Sequence, residues 1–194
     1  MPFHNCGTLV LLLIFLSYCS VRIVSYSKMT SDQSSTIPIE VSVSDVIVAG
    51  SETDHSPVVK LKVALRNTSD KPISFLRWST PFDPRAVPSG VFEFKSSTTG
   101  ELAPCLNLKL NRKMPESGTY DEEDIEHIDA GGEISKTIEV KAPEVVLSKG
   151  EKYVVKAKGI WMHVVVGERT DMKSDDDGAL RGDFESEGVE VEIG

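Results

Sequence analysis

Apolar and polar residues alternate with a period of two along most of the chain beyond residue 37, the signature of half-buried β-strands. Ile39, Val41 and Val43 alternate with Glu40, Ser42 and Ser44. The apolar parity then moves to Val46 and Val48, which predicts a β-bulge between the two runs. Val59, Leu61, Val63 and Leu65 alternate with Lys60, Lys62 and Arg66 in a second strand. The turn residues Asn67-Thr68-Ser69-Asp70-Lys71-Pro72 follow, and Ile73 to Trp78 is expected to return as the partner in a hairpin. Phe92 and Phe94 mark another strand, and Leu106, Leu108 and Leu110 alternate with Asn107, Lys109 and Asn111 in the next. Ile134, Ile138 and Val140 follow a Gly131-Gly132 turn. Tyr153 to Lys158, Ile160 to Val166 and Val189 to Ile193 complete the set. Gly, Pro, Asn and Asp separate these runs, and no window carries a helical period. The pattern predicts a single all-β domain over residues 37–194, built as an antiparallel β-sandwich.

Two acidic segments interrupt the alternation. Asp121 to Asp129 holds six acids around Ile125 and Ile128 and reads as a loop entering a short strand. Glu168 to Gly188 holds eight acids and reads as a long solvated loop before the last strand. Acids outnumber bases 30 to 21 over the 194 residues, a net charge of −9. That balance argues against nucleic-acid binding, which needs clustered bases to displace counterions.

The N-terminal residues lack this pattern. Leu9 to Leu16 is an unbroken apolar run with no acid anywhere in residues 1–28. It is too short to cross a bilayer, which takes about 20 residues, and matches a signal-peptide core. Residues 1–25 are therefore expected to be a signal peptide that directs secretion, or a short anchor through residues 9–24 if left uncleaved. The opening Met1-Pro2-Phe3-His4-Asn5 lacks the usual Lys or Arg, and Met29 stands just before the first strand. Translation from Met29 would give a cytosolic interaction or scaffold protein instead. Cys6 and Cys19 precede the domain, which keeps Cys105 alone, expected as a small buried apolar residue.

Catalytic chemistry finds little purchase. His4, His55, His127 and His163 form no His-Glu-x-x-His pair, and there is no nucleophile elbow, phosphate-cradling glycine loop or Cys-x-x-Cys. No catalytic residue, metal ligand or cofactor is expected. Asp175-Asp176-Asp177-Gly178 fails as a calcium loop, because Lys173 and Phe184 fall where the first and last acidic ligands belong. Arg181-Gly182-Asp183 reads as a turn into the last strand rather than an adhesion motif. Asn67-Thr68-Ser69 is a candidate glycosylation sequon in a secreted chain; in any compartment Asn67 can brace the turn with its side chain.

Two segments offer a candidate partner surface: Phe75 to Pro84, with Arg77, Trp78, Pro81, Phe82 and Asp83, and Lys109 to Pro115, with Arg112 and Lys113. Aromatics, proline and bases together describe either core packing beside a rigid turn or exposed interface anchors.

Asn67-Thr68-Ser69-Asp70 through Phe75-Leu76-Arg77-Trp78-Ser79-Thr80-Pro81-Phe82-Asp83 resembles the Asn-Thr-Gly … Phe-Leu-x-x-x-Thr-Pro-Leu/Phe-Asp pattern of the prodomains of fungal deuterolysin-type metalloproteases. Ile128 before Ala130-Gly131-Gly132-Glu133, and Gly150-Glu151-Lys152-Tyr153, extend the similarity over residues 37–166. With Leu108 to Pro115 and Lys158 to Met162 included, the chain is more similar to small stand-alone fungal proteins of unknown function. The resemblance implies an immunoglobulin-like sandwich and a non-catalytic, protein-binding role, as a protease inhibitor or folding helper. It also implies a deuterolysin-type protease as the protein partner. Peptidase activity does not carry over, since the zinc motif is missing.

Overall fold

The structure is a computed structural model that describes residues 37–50, 57–113, 115–116, 118–167 and 172–194. The leader and the alternative start at Met29 lie outside these residues, as do residues 168–171 of the second acidic segment. Among the described residues the chain forms nine strands: β1 (Ile39–Gly50), β2 (Pro57–Asn67), β3 (Ile73–Leu76), β4 (Phe92–Ser96), β5 (Ile125–Ile128), β6 (Glu133–Val140), β7 (Lys152–Val166), β8 (Leu180–Glu185) and β9 (Val189–Glu192). One sheet runs β1-β2-β6; the other runs β4-β7-β3-β5, with β8 and β9 also paired to β7. All pairings are antiparallel. The inner faces of the two sheets meet in one core, as in a β-sandwich.

Alternation in sequence becomes alternation in burial. Ile39, Val41 and Val43 point inward in β1, and the register against β2 slips between Ser44 and Ile47. Asp45 sits there at φ 47°, the left-handed conformation that a short polar side chain tolerates. After this bulge Val46 and Val48 face the core and Ile47 faces water, as the parity shift predicts.

The hairpin expected between β2 and β3 does not form. β2 pairs with β1 and β6, whereas β3 crosses to the other sheet between β5 and β7. Asn67 sits at the crossing, fully buried. Its Nδ2 donates to the carbonyls of Lys71 (2.7 Å), Asp129 (2.9 Å) and Ile128 (3.3 Å), and its Oδ1 accepts from the Ser69 N–H (2.9 Å) and Oγ (2.8 Å). One amide thus joins the end of one sheet to the edge of the other.

The two runs 153–158 and 160–166 are a single strand, β7, which is the spine of its sheet. Its first half pairs with β4 and β9, and its second half with β3 and β8. At the join, a Cβ on Gly159 would lie 2.4 Å from the Ser79 carbonyl oxygen and 2.7 Å from the Phe184 ring, so only glycine fits. Trp161, the largest fully buried side chain, packs edge-on to Phe75 at 5.2 Å and against Phe184 at 4.9 Å.

Beyond Trp161 the register of β7 against β8 slips, and Val164 turns into the main core. Val165 instead packs on a second, smaller cluster made by Leu76, Trp78, Tyr120, Ile125 and Met172. All four residues of β3 are buried in consequence: Ile73 and Phe75 belong to the main core, and Leu76 to the smaller cluster.

Two further expectations are corrected. Residues 106–110 form no strand, because Asn107 adopts φ 49° and kinks the chain between the leucines. The segment 168–188 is not a loop throughout: Leu180–Glu185 is β8, and Arg181-Gly182-Asp183 lies within that strand rather than in a turn. The first acidic segment behaves as expected, a single 3-10 turn at Glu122–Asp124 leading into β5.

Candidate functional site

The segment between β3 and β4 leaves the sheet as a chain of tight turns. Ser79 takes φ 60°, and Thr80 accepts the Phe82 N–H on its Oγ1 (3.2 Å) while donating to the Arg77 carbonyl (2.6 Å). Asp83 anchors these turns. Its side chain is about 1% exposed and accepts the N–H groups of Ser79 (3.0 Å) and Arg85 (2.9 Å). Arg112 supplies the countercharge, donating from one nitrogen to both carboxylate oxygens at 2.8 and 2.7 Å. Its guanidinium also lies 5.4 Å from the Trp78 ring centre, a cation–π contact. Arg112 thereby fastens the 106–113 segment onto the turns after β3.

The structure gathers most of the predicted surface residues here but buries their apolar members. Trp78, Pro81 and Phe82 are buried, so they pack rather than present themselves as interface anchors. Trp78 stands edge-on to Tyr120 at 5.9 Å, and Phe82 carries the Lys136 ammonium 4.4 Å from its ring centre. Arg77 pairs with Asp124 at 3.4 Å. Lys113 remains on the surface beside Glu116 at 2.6 Å. Asn67 has its amide nitrogen committed to three carbonyls, leaving no room for a glycan in the folded domain. Cys105 is half-buried, its thiol 3.5 Å from the Val87 carbonyl oxygen.

Beneath Tyr120 lies His163, about 1% exposed, with its Nδ1 3.5 Å from the tyrosine hydroxyl and its Nε2 without a hydrogen-bond partner. Burial pushes its pKa down, and Arg181 adds to this against an opposing pull from Asp176. Burial likewise raises the Tyr120 hydroxyl, with Arg181 acting in the other direction. Among the described residues no group of three or more His, Cys, Asp or Glu side chains could hold a metal ion, and no helix is long and apolar enough to cross a membrane.

The open surface of this region is a groove of about 540 Å³. One wall is the 108–112 segment and the other is the outward face of β7 at Lys158, Ile160 and Met162. Four large apolar side chains stand in it half-exposed: Leu108 (42%), Leu110 (40%), Ile160 (52%) and Met162 (38%). The walls begin together, where the Leu108 N–H bonds Pro88 and the Lys158 N–H bonds Val91, both at 2.8 Å. They end together, where the Ser79 hydroxyl meets the Met162 sulfur at 3.8 Å and Arg112 rests on Trp78. Isolated surface leucines are ordinary; four large apolar groups facing one groove are not.

Of these groove residues the sequence pointed to Trp78, Arg112 and the segment from Lys109 that holds Leu110, and missed Leu108, Ile160 and Met162 as surface groups. The signal was the same alternation that suggested strands. Only the kink at Asn107, a residue type prone to φ > 0, hints that the leucines never join a ladder.

Both sheets, their antiparallel pairing and the β7 spine define an immunoglobulin-like sandwich. The chain belongs to the immunoglobulin-like domain family, whose model matches residues 45–193. It is similar to an uncharacterized secreted protein of Arthroderma benhamiae, 31% identical over 141 residues, which covers 68% of each chain. It also overlaps the X-ray structure of a structural genomics target, SoR45, with a TM-score of 0.43 and 6% identity over 80% of this chain and 87% of that one.

Proposed function

We propose that this chain is a secreted, non-catalytic protein-binding module that docks its partner in the groove between residues 108–112 and β7. The observation that carries the reading is the half-exposed apolar set Leu108, Leu110, Ile160 and Met162 in a domain whose other large apolar groups mostly pack inside. Burying such a set yields about 25 cal/mol per Å² of apolar surface removed from water, and a preformed groove loses little ordering entropy on binding. Secretion is supported by the description of the fungal relative. A deuterolysin-type protease is the partner that the resemblance of residues 37–166 brings forward.

Titration of such a protease with the purified chain tests both parts. Saturable inhibition that disappears in Leu110→Asp is the expected result. Unchanged protease activity at large molar excess removes the protease as partner. Inhibition equally strong in Leu110→Asp and Ile160→Asp, both folded by circular dichroism, removes the groove as the docking site.

A further inference from the structure

We infer that the groove takes an extended protein segment in which apolar side chains alternate with acidic ones. This rests on the docking reading above and specifies the occupant. Each wall carries its apolar groups two residues apart: Leu108 and Leu110 on one side, Ile160 and Met162 on the other. Along the β7 strand such a pair recurs about every 6.6 Å, which is also the same-side repeat of an extended peptide lying beside it; the facing 108–112 segment forms no strand. A helix, with side chains returning every three to four residues, does not match two facing rows of this kind.

Charge decides the rest. The chain is acidic overall, yet the described residues lining the groove include Lys109, Arg112 and Lys158 and no Asp or Glu. Arg112 is answered by Asp83, which lies buried behind it. Among the described residues Lys109 reaches the neutral Asn107 Oδ1, at 3.4 Å. Lys158 stands opposite Glu185 in the β7–β8 ladder and shares that carboxylate with Lys156, which holds it at 2.6 Å. The exposed Asp183 stands opposite Ile160, so of the groove's bases Lys109 is the one farthest from a carboxylate partner. Two apolar walls that also carry Lys109 and Lys158 thus face the partner, with Asp183 and Glu185 confined to the β8 side of the β7 wall. Complementarity of this local sort selects partners and register more than it adds affinity.

The test uses the full domain and three synthetic twelve-residue peptides of one apolar pattern, with glutamate, serine or lysine at the intervening positions. Binding is read by fluorescence anisotropy at low and high salt. The glutamate peptide is expected to bind at least tenfold more tightly than the lysine peptide, with the advantage shrinking as salt rises. The double variant Lys109→Glu/Lys158→Glu, both positions being exposed, is expected to reverse the order. Equal binding of all three peptides overturns the acidic occupant and leaves docking in the groove intact. Absence of binding by any of them, with no effect of Leu110→Asp on any partner, overturns the docking reading too. A dimer in solution that Leu110→Asp dissolves overturns the inference by giving the groove to a second copy.

Discussion

Asp83 has almost no water left around it, and its charge is met by two backbone N–H groups and one arginine. Breaking a fully buried ion pair costs about 3–5 kcal/mol. Arg112 keeps part of its guanidinium in water, so Arg112→Ala is expected to cost less, on the order of 2 kcal/mol, measured by urea unfolding. Asn67 carries a comparable duty. Asn67→Ala deletes a fully buried amide and orphans carbonyls at the crossing between sheets, an expected loss of about 2–4 kcal/mol. The same bonds predict an intact mass without glycan at Asn67, even in secreted material; a glycosylated, folded domain would contradict the geometry. His163 gives a pH dependence with a definite sign. Unfolded, it binds a proton near its ordinary pKa of 6.5; folded, burial and Arg181 hold the pKa lower. The unfolded chain then binds more protons as pH falls below that value, so this contribution to stability is whole above it and lost below it. Urea midpoints between about pH 7 and pH 5 should fall more steeply for the native chain than for His163→Gln.

The strands show what alternation can and cannot convey. A period of two announces a half-buried strand, so β1, β2, β4, β6 and β9 were legible, and so was the bulge in β1, where Val43 gives way to Val46. Period carries no information about partners. That is why β2 and β3 read as a hairpin while they belong to different sheets. A left-handed Asn107 likewise leaves the Leu106–Leu110 alternation untouched while removing the strand. The candidate site was half legible for a related reason. Trp78 and Phe82 have the composition of a core and of an interface alike, and only the turns held by Asp83 decide that they point inward. Within β7 the tightest constraint is Gly159. Gly159→Ala would drive a methyl group into the Ser79 carbonyl and the Phe184 ring, at an expected cost of about 1–3 kcal/mol with displacement of the groove floor. Thermal unfolding would report the first effect, and loss of peptide affinity the second.

The whole molecule depends unequally on its strands. β9 seals the start of β7 and buries Val191, and Ile193 follows it into the core. A chain ending at residue 187 would lose both side chains, worth about 1.5–3 kcal/mol each, and would bare the edge of β7. Against a total stability of about 5–15 kcal/mol, the expected outcome is a chain with weakened or absent β signal in far-UV circular dichroism. The β7 spine has a temporal consequence as well. Its partners extend from Ile73 to Glu192, so the larger sheet cannot close until the last strands have been synthesised. β1 and β2, neighbours in sequence, can pair early, while the second half of the sandwich waits as unpaired edges. A ribosome-bound chain stalled before residue 180 would therefore carry β1 to β7 but neither β8 nor β9, leaving part of each edge of the spine bare, the stage at which a chaperone or a translocation channel has most to grip.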